Sequence, residues 1–294
     1  MFKFFLYKFG EFWVTLLPLD VSYRIAGFIS TIQYYCSPRD RKAVKNNLKI
    51  ILQTNQGVSD LAKEMFRNFG KYLVEFFRMA KEIDREFIKD RVKIVNLDSL
   101  KKALERKKGA ILVTAHIGNW ELGGVVLGVL GFPLVAIAMP HKERPVNDLF
   151  NRQREEKGVA IIPMQHAMRR CLSALKENKV VALLSDRDFT ANGMVIDFLG
   201  RKTLIPKGAA VFAAKTGAAI VPCFLIREKE NTFTLTLEEP FYPPHTNRGH
   251  INDETLLSIM RKYAAIIESK IRQYPSQWLM FRPFWIDEPP SGNP

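Results

Sequence analysis

Between Gly109 and about residue 240 the chain alternates between short apolar runs and amphipathic segments, and this alternation restricts the fold more than any other feature. The apolar runs have the lengths of buried strands; they read GAILVTAH, PLVAIAM, VAIIP, VVALLSD, AAIVPCFLI and TFTLTLEEP. Between several of them stand segments with helical spacing, namely NDLFNRQREEKG, AMRRCLSALKENK and KGAAVFAAKTG. This pattern predicts an α/β fold in which helices cover a central mixed sheet.

Two stretches of this region need an interpretation of their own. Residues 122–141 carry no formal charge, but Gly131 and Pro133 divide them. They therefore predict a buried helix followed by a buried strand rather than a membrane span. The run IVPCFLIRE contains Pro222, which has no backbone N–H to donate to a neighbouring strand. Pro222 predicts an edge strand or the end of a strand.

The part of the chain before Gly109 predicts helices. Its clearest stretch, LAKEMFRNFGKYLVEFFRMA, repeats apolar residues at i, i+3 and i+4. We divide the chain into a helical segment over residues 1–35, a main domain over 36–286 and a tail over 287–294. The tail is polar and rich in proline, and we expect it to be disordered.

The first 17 residues carry an apolar stripe, whereas Lys3, Lys8, Glu11 and Thr15 fall on another face. The stripe consists of Phe2, Phe5, Leu6, Phe9, Phe12, Trp13, Leu16 and Leu17. Charged residues interrupt the stretch before it reaches the roughly 18 apolar residues that a spanning helix needs. We favour an amphipathic helix that lies in the plane of a membrane. A helix packed on its own domain and a tilted single span remain as alternatives.

The net charge of +14 and the isoelectric point of about 9.7 favour anionic partners. An anionic membrane surface, a phosphorylated substrate, an acidic carrier protein and nucleic acid all fit this charge. The N-terminal phenylalanines stand among lysines, which suits lipid better than bases, so we expect no nucleic-acid partner. Cys36, Cys171 and Cys223 form no metal-like pair, and their odd number argues against a disulfide framework.

The stretch TAHIGNWELGG places His116 at the end of a predicted strand and Glu121 five residues later. If Asn119 caps a helix, His116 lies before that helix and Glu121 lies in its first turn. A carboxylate on one ring nitrogen of His116 would then orient a general base. A histidine that is merely hydrogen-bonded at a strand end explains the motif equally well.

Further polar residues follow other predicted strands. Arg144, Asn147, Arg152 and Arg154 come after the second strand, and Asp186, Arg187 and Asp188 end the strand VVALLSD. Arginines at strand ends suit a phosphorylated or carboxylated ligand through bidentate contacts. We interpret Arg152 as part of a solvated helix face, and we expect Arg144 and Arg187 to bind a ligand.

These stretches, in this order, resemble the blocks of the lysophospholipid acyltransferase superfamily. They are most similar to its late lipid A (lauroyl/myristoyl) branch, which has relatives that acylate phosphatidylinositol mannosides. HIGNWE resembles that branch's histidine–acid signature, SDRD its Asp-Arg-Asp block and IVP its later Val-Pro block. RKAVKNNLKIIL and PSQWLMFRPFW resemble an upstream and a C-terminal element, so that the resemblance covers residues 1–286. The sequence departs from the branch at FRPFW, where His-Arg-Arg is frequent.

The resemblance implies an acyltransferase domain over residues 36–286 that moves a fatty acyl chain from a thioester to a hydroxyl. The implied catalytic pair is His116 with Glu121. The implied substrate-binding residues are Asn119, Arg144, Asn147, Arg154, Asp186 and Arg187. The resemblance implies no cofactor and no metal. It implies direct attack of the hydroxyl on the thioester without an acyl-enzyme, and the sequence has no Gly-x-Ser-x-Gly motif that would supply a serine nucleophile.

The implied donor is an acyl carrier protein or acyl-coenzyme A, and the implied acceptor is a membrane glycolipid such as a lipid A precursor. A phosphatidylinositol mannoside or a lysophospholipid is an alternative acceptor. The expected location is the cytoplasmic face of a bacterial inner membrane, with peripheral or single-anchored attachment. Two other classes remain: a non-catalytic lipid-binding membrane protein, and a metal-dependent hydrolase that uses His116, Glu121 and Asp186. The hydrolase lacks a second histidine at ligand spacing.

Overall fold

A computed structural model describes residues 2–243 and 251–286, and it has the predicted α/β architecture. The helices are α1 (Phe2–Leu16), α2 (Leu19–Cys36), α3 (Pro38–Leu52), α4 (Val58–Glu82), α5 (Arg85–Arg91), α6 (Asp98–Glu105), α7 (Trp120–Val129), α8 (Arg144–Glu155), α9 (Ala167–Lys176), α10 (Gly208–Thr216) and α11 (Asp253–Gln273). The strands are β1 (Val92–Val95), β2 (Ala110–Thr114), β3 (Leu134–Ala138), β4 (Val159–Pro163), β5 (Val180–Leu184), β6 (Met194–Phe198), β7 (Arg201–Ile205), β8 (Ala219–Arg227) and β9 (Phe233–Leu237). The predicted tail over 287–294 lies outside the described residues.

The central sheet has seven strands in the order β1-β9-β8-β2-β5-β3-β4. All neighbouring strands are parallel except β8 and β9, so the sheet is mixed as predicted. The sequence does not predict β1, because its four residues, VKIV, stand in a region of helical patterns. The antiparallel hairpin of β6 and β7 is also not predicted, and its outer positions carry charged side chains.

Pro222 does not mark an edge strand or a strand end, and that prediction is wrong. It lies inside β8, which is buried along its whole length and pairs with both β2 and β9. The pairing with β9 begins only at Cys223, opposite Leu237, the last residue of β9. Pro222 therefore stands just beyond the end of that ladder, where its carbonyl accepts from Glu238 N and its missing N–H leaves no ladder bond unmade.

The hydrophobic core has two parts, one on each face of the sheet. Odd-numbered positions of β2, such as Ile111 and Val113, pack with α3, α10, α11 and the C-terminal segment. Even-numbered positions, such as Leu112, pack with α4, α6 and α7. Because β2 alternates its side chains between two buried faces, it reads as a continuous apolar run. The predicted division of residues 122–141 into a helix and a strand is confirmed by α7 and β3.

Helices α1 and α2 have one packed face and one exposed face. Tyr7 and Val14 pack on the core, and Glu11 accepts a hydrogen bond from Arg152 on α8 at 2.7 Å. The large apolar side chains on the outer face are Phe5, Phe9, Phe12, Trp13 and Leu16 of α1, followed by Val21, Ile25, Phe28, Ile29, Ile32 and Tyr35 of α2. The stripe also included Phe2 and Leu6, and it set Lys3 on the other face; the side chains of these three lie outside the described part. Across residues 2–243 and 251–286, no helix has both the length and the apolar composition of a membrane span.

Candidate active site

His116 lies two residues beyond the end of β2, at the rim formed by the carboxyl ends of the parallel strands. β5 runs parallel beside β2 with Leu184 opposite Thr114, and Ser185 N donates to Thr114 O at 2.8 Å. Two residues farther along both strands, the same register brings Asp186 beside His116. The predicted helix follows: α7 begins at Trp120, and Glu121 lies in its first turn.

The carboxylate that contacts His116 belongs to Asp186. Nδ1 of His116 hydrogen-bonds to Asp186 Oδ1 at 2.8 Å, and Asp186 Oδ2 accepts from His116 N at 3.0 Å and from Trp278 Nε1 at 2.9 Å. Burial alone would raise the pKa of the Asp186 carboxyl, but the His116 ring and these hydrogen bonds hold that pKa below its ordinary value. An ionised Asp186 fixes the proton of neutral His116 on Nδ1, which leaves Nε2 able to accept a proton.

Glu121 does not hydrogen-bond to His116, contrary to the prediction. Its carboxylate instead receives two hydrogen bonds of 2.7 Å from Nε and Nη2 of Arg154. The first turn of α7 directs Glu121 toward α8, whereas the strand next to β2 brings Asp186 to the imidazole ring. Burial would lower the pKa of Arg154, but Glu121 raises it above its ordinary value. Asp186, predicted to bind the head group, is fully buried, hydrogen-bonds to His116 and Trp278, and does not line the cavity that His116 lines.

The backbone from His116 to Asn119 is held by the C-terminal segment and by β8. Three hydrogen bonds do this: Leu279 N to His116 O (2.7 Å), Gly118 N to Gln277 O (3.0 Å) and Asn119 N to Leu225 O (3.0 Å). Gly118 has a φ of +62°, and a Cβ at this position would lie 2.0 Å from Leu225 O. Only glycine combines this φ with such a close approach, so the glycine in HIGNWE follows from packing.

Trp278 is a site residue that the sequence analysis did not identify. Its indole is fully buried, it donates to Asp186, and its backbone pairs with Ile117 in an antiparallel bridge. The motif PSQWLMFRPFW marks this segment in the sequence. A single tryptophan there nevertheless reads as an ordinary core residue, because nothing local indicates a contact with a carboxylate far away in the chain.

His116 lines a cavity of about 550 Å³. The charged side chains on its wall are Glu121, Arg154, Arg187, Asp188 and Lys207. Most of the wall is apolar: it is formed by Leu134, Ile137, Val159, Met164, Leu183, Leu184, Val211 and Phe212, among others. At the rim, Met139, Met168 and Phe189 are exposed. A cavity of this size with few polar groups fits a mostly apolar ligand.

The cavity reaches into the sheet where two strands separate. β3 and β5 pair only as far as Ala136 opposite Ala182. Beyond that point β3 continues beside β4, and β5 continues beside β2. Ile137 and Leu183 line the opening, which connects the α7–α8 face of the sheet with the α9–α10 face. The small side chains at the point of separation leave room there.

The other predicted substrate-binding residues have different positions. Arg187 lines the cavity, and its guanidinium lies 4.4 Å from the centroid of the Phe189 ring. Burial, with Arg282 nearby, lowers the pKa of Arg187. Arg282, which was not predicted, therefore adds a further cation near Arg187, besides Arg154 and Lys207 on the cavity wall.

Besides Asp186, three predicted substrate-binding residues do not line the cavity. Arg144 is the first residue of α8, and its side chain points outward with 92% of its surface exposed. Asn147 accepts a hydrogen bond from His141 N within the loop between β3 and α8. Asn119 is fully buried; its Oδ1 accepts from Leu122 N at 3.0 Å, which confirms it as the N-cap of α7. Arg152, interpreted as solvated, is half-exposed and paired with Glu11.

The described residues contain no group of three or more His, Cys, Asp or Glu side chains arranged to hold a metal ion. The three cysteines are free thiols. Burial raises the pKa of Cys171 and of Cys223 to about 12, so neither is a ready nucleophile.

A parallel-stranded rim with a histidine–carboxylate pair over an apolar cavity suits an enzyme that acts on acyl chains. The sequence model of one protein family, the bacterial lipid A biosynthesis acyltransferases, matches residues 1–286. The chain belongs to this family. It is accordingly an acyltransferase, which removes the non-catalytic lipid-binding alternative.

Curated relatives carry two kinds of name. The chain is 28% identical to a phosphatidylinositol mannoside acyltransferase of Mycolicibacterium smegmatis, over 77% of this chain and 73% of the relative. It is 30% identical to the enzyme of that name from Mycobacterium tuberculosis, over 74% and 68%. It is 27% identical to the lipid A biosynthesis palmitoleoyltransferase of Escherichia coli, over 74% and 68%.

Proposed function

We propose that the protein transfers a fatty acyl chain from an acyl thioester to a hydroxyl of a membrane glycolipid such as a lipid A precursor. The observation that carries the proposal is the position of the His116–Asp186 pair at a cavity of about 550 Å³ with largely apolar walls. The apolar part accommodates the acyl chain, and the thioester carbonyl then lies beside His116. The family of the chain supports the same reaction class.

In the proposed reaction, Nε2 of His116 removes the proton of the acceptor hydroxyl while the oxygen attacks the thioester carbonyl. The new C–O bond forms, the C–S bond breaks, and the thiolate takes the proton back from the imidazolium. Asp186 stabilises the imidazolium between these two transfers. Direct transfer of this kind needs no acyl-enzyme.

The cations around the cavity are proposed to bind the polar part of the substrates. Arg187 presents a planar guanidinium at the cavity wall, and Arg282 adds charge nearby. Such groups suit a phosphate or carboxylate of the acceptor. The guanidinium of Arg154 is already paired with the carboxylate of Glu121 through two hydrogen bonds. This ion pair is proposed to form a polar part of the cavity wall beside His116.

The donor is proposed to be an acyl carrier protein, with acyl-coenzyme A as the alternative. A shallow groove on α3 is lined by Arg41, Lys42, Lys45 and Lys49, and no carboxylate lines it. This groove, together with the net charge of +14, suits an acidic protein partner. The donors can be told apart by comparing the transfer rates with the two thioesters, and any steering of an acidic carrier protein should weaken as ionic strength rises.

A phosphatidylinositol mannoside is a second candidate acceptor. The observation that favours it is the identity of 28–30% to enzymes with that name. Both acceptors are membrane glycolipids, so the same catalytic arrangement serves either.

The outer face of α1 and α2 is proposed to lie in a membrane surface, as a peripheral attachment at the cytoplasmic face of the bacterial inner membrane. Its exposed side chains include Phe9, Phe28 and Trp13, and burial of such side chains favours binding to a membrane surface. Attachment to the membrane would keep the cavity close to an acceptor lipid in that membrane.

The experiment is acyl transfer by the purified full chain, with an acyl carrier protein or coenzyme A thioester as donor. The acceptors are a lipid A precursor, a phosphatidylinositol mannoside and a lysophospholipid, and the products are identified by mass spectrometry. We expect His116→Gln to reduce the transfer rate by about 10²–10⁴-fold, because a general base contributes a factor of that order.

His166→Gln is the matched control, since His166 is exposed and does not line the cavity. It should retain the wild-type rate. An acyl product on the mannoside alone would establish the second candidate acceptor. Near-wild-type turnover by His116→Gln, or no product with any acceptor, would refute the proposed function.

A further inference from the structure

Four buried polar side chains form a second cluster that does not line the cavity. They are Tyr23 on α2, Glu75 on α4, Asn119 at the start of α7 and Arg227 at the end of β8. Each exposes less than a tenth of its surface. The proposed chemistry uses none of them directly, so their burial needs another explanation.

Glu75 is the centre of this cluster, because its carboxylate accepts hydrogen bonds from the other three side chains. Oε1 accepts from Tyr23 Oη at 2.6 Å and from Arg227 Nη1, and Oε2 accepts from Asn119 Nδ2 at 2.6 Å and from Arg227 Nη2 at 2.9 Å. Burial alone would lower the pKa of Arg227, but Glu75 raises it above its ordinary value. Arg227 therefore keeps its charge inside the protein.

A buried ion pair is weak evidence for stability, because desolvation offsets much of the attraction. Its better-supported use is to specify one geometry among several. Here the geometry concerns Asn119. Its Oδ1 caps α7 by accepting from Leu122 N, and its Nδ2 donates to Glu75. Capping requires only the acceptor, which Ser or Asp would also supply, so the amide donor serves the contact with Glu75.

Asn119 is also the end of the segment that carries His116. Asn119 N donates to Leu225 O, and Gln277 connects the segment to Arg227: its backbone carbonyl accepts from Gly118, and its side chain bonds to Arg227 N and Arg227 O. The Glu75–Arg227 pair thus holds the segment from two directions, through the side chain of Asn119 and through Gln277.

We propose that Glu75 and Asn119 are positioning residues for His116, and that the Glu75 carboxylate fixes the start of α7 so that the imidazole faces the cavity. Through Tyr23 the same carboxylate connects this segment to α2, whose outer face is apolar and exposed. The inference rests on the proposed role of His116 as the general base. It concerns how that residue is held and not which lipid is acylated.

The test reverses the hydrogen bond between Asn119 and Glu75, so that residue 75 donates and residue 119 accepts. Asn119→Asp keeps a capping oxygen but sets a second carboxylate against Glu75, where a donor stood. Adding Glu75→Gln to this variant returns one donor and one acceptor to the contact, and it leaves the number of buried charges unchanged. Asn252→Asp is the matched control, because Asn252 caps α11 in the same manner, through Thr255 N at 2.9 Å, away from the cavity.

We expect Asn119→Asp to lower kcat by on the order of 10²-fold, since a displacement of about 1 Å can cost that much. KM for the donor should change less than kcat, because neither Asn119 nor Glu75 lines the cavity. The double variant should recover part of the lost kcat, since the contact between residues 75 and 119 is restored while one of the two hydrogen bonds from Arg227 to residue 75 is lost. Asn252→Asp should match the wild type. Rates are compared at a temperature at which circular dichroism shows every variant folded.

A second measurement does not depend on activity. The ¹⁵N resonances of the His116 ring report its hydrogen bond to Asp186, and they should shift in Asn119→Asp and return in the double variant. Unchanged His116 resonances across the series would overturn the inference, whether or not the enzyme transfers acyl groups. So would a folded Asn119→Asp with wild-type kcat, or a double variant that regains thermal stability but not kcat. Failure of the proposed function is separate, because it would show as an absence of transfer by the wild type.

Discussion

The rim of the sheet and the outer face of α1 and α2 depart from the usual distribution of side chains in opposite directions. At and behind the rim, charged side chains such as Asp186 and Glu75 are buried. On the outer face, Phe9 and Phe28 expose 65% and 68% of their surfaces. Buried charges and large exposed apolar patches are the informative exceptions in soluble proteins, whereas single exposed apolar residues are common.

The two regions differ in how the exception is compensated. The buried polar groups of the rim find their partners within the chain. In residues 2–243 and 251–286, Asn47 Oδ1 is the one buried side-chain N or O atom without a hydrogen-bond partner. The apolar face has no cover within the described residues, and the cover proposed for it is a membrane surface. On this proposal the first region is organised for chemistry and the second for contact with lipid.

The largest loss of activity is expected when Asp186, a buried charge at the rim, is replaced. Asp186→Asn should lower kcat by about 10²–10⁴-fold, because an amide cannot stabilise the imidazolium and can impose the wrong tautomer on His116. Steady-state kinetics and a pH–rate profile measure the loss.

Glu121→Gln is the comparison variant, because it leaves the hydrogen bond between His116 and Asp186 in place. It removes the charge that pairs with Arg154, so we expect lower thermal stability, a higher KM and a smaller loss of kcat than in Asp186→Asn. If the two variants lost kcat equally and shifted the pH–rate profile alike, Glu121 would be the working partner of His116 after all.

The next effect concerns the apolar face. The triple variant Phe5→Asp/Phe9→Asp/Trp13→Asp should move the protein from the membrane pellet to the soluble fraction. Full burial of each such side chain contributes about 1.5–3 kcal/mol, and partial insertion still leaves several kcal/mol for the three together. Transfer to a detergent-dispersed acceptor should suffer less than transfer to a vesicle-borne acceptor, since His116 lies in another part of the chain.

The matched control is Thr54→Asp/Asn55→Asp/Gln56→Asp, which changes the charge equally in an exposed turn between α3 and α4. It should leave sedimentation with anionic vesicles unchanged. A triple variant of α1 that stays fully bound to vesicles would remove this helix from the proposed contact and leave α2 as the remaining part of the face.

The sequence predicts the fold well because strands buried on both faces, such as β2, leave an apolar run that any reader can find. It also places His116 correctly, since a strand end and an N-cap are local features. It fails for the partner of His116, because Asp186 arrives through strand order, which no local pattern encodes. Trp278 is not predicted for the same reason. Glu121 was predicted to contact His116 because it lies only five residues away in the sequence, but it pairs with Arg154.

The smallest effect is a pH dependence of stability that distinguishes the buried carboxylate from a surface one. The native pKa of Asp186 lies below its ordinary value. Its contribution to stability is therefore present above the unfolded pKa of about 3.9 and is lost as the pH falls through the lower native value. The midpoint of thermal unfolding of the wild type should approach that of Asp186→Asn only as the pH falls below about 4.

Asp98, which is exposed beside Lys101, also has a lowered pKa. In 0.5 M salt the difference made by Asp98→Asn should vanish, since surface pairs are screened, whereas the difference made by Asp186→Asn should persist. Equal sensitivity of both differences to salt would mean that solvent reaches the Asp186 carboxylate. The rim would then not be a region whose buried charges are shielded and partnered within the chain, and it would no longer contrast with the exposed apolar face in this respect.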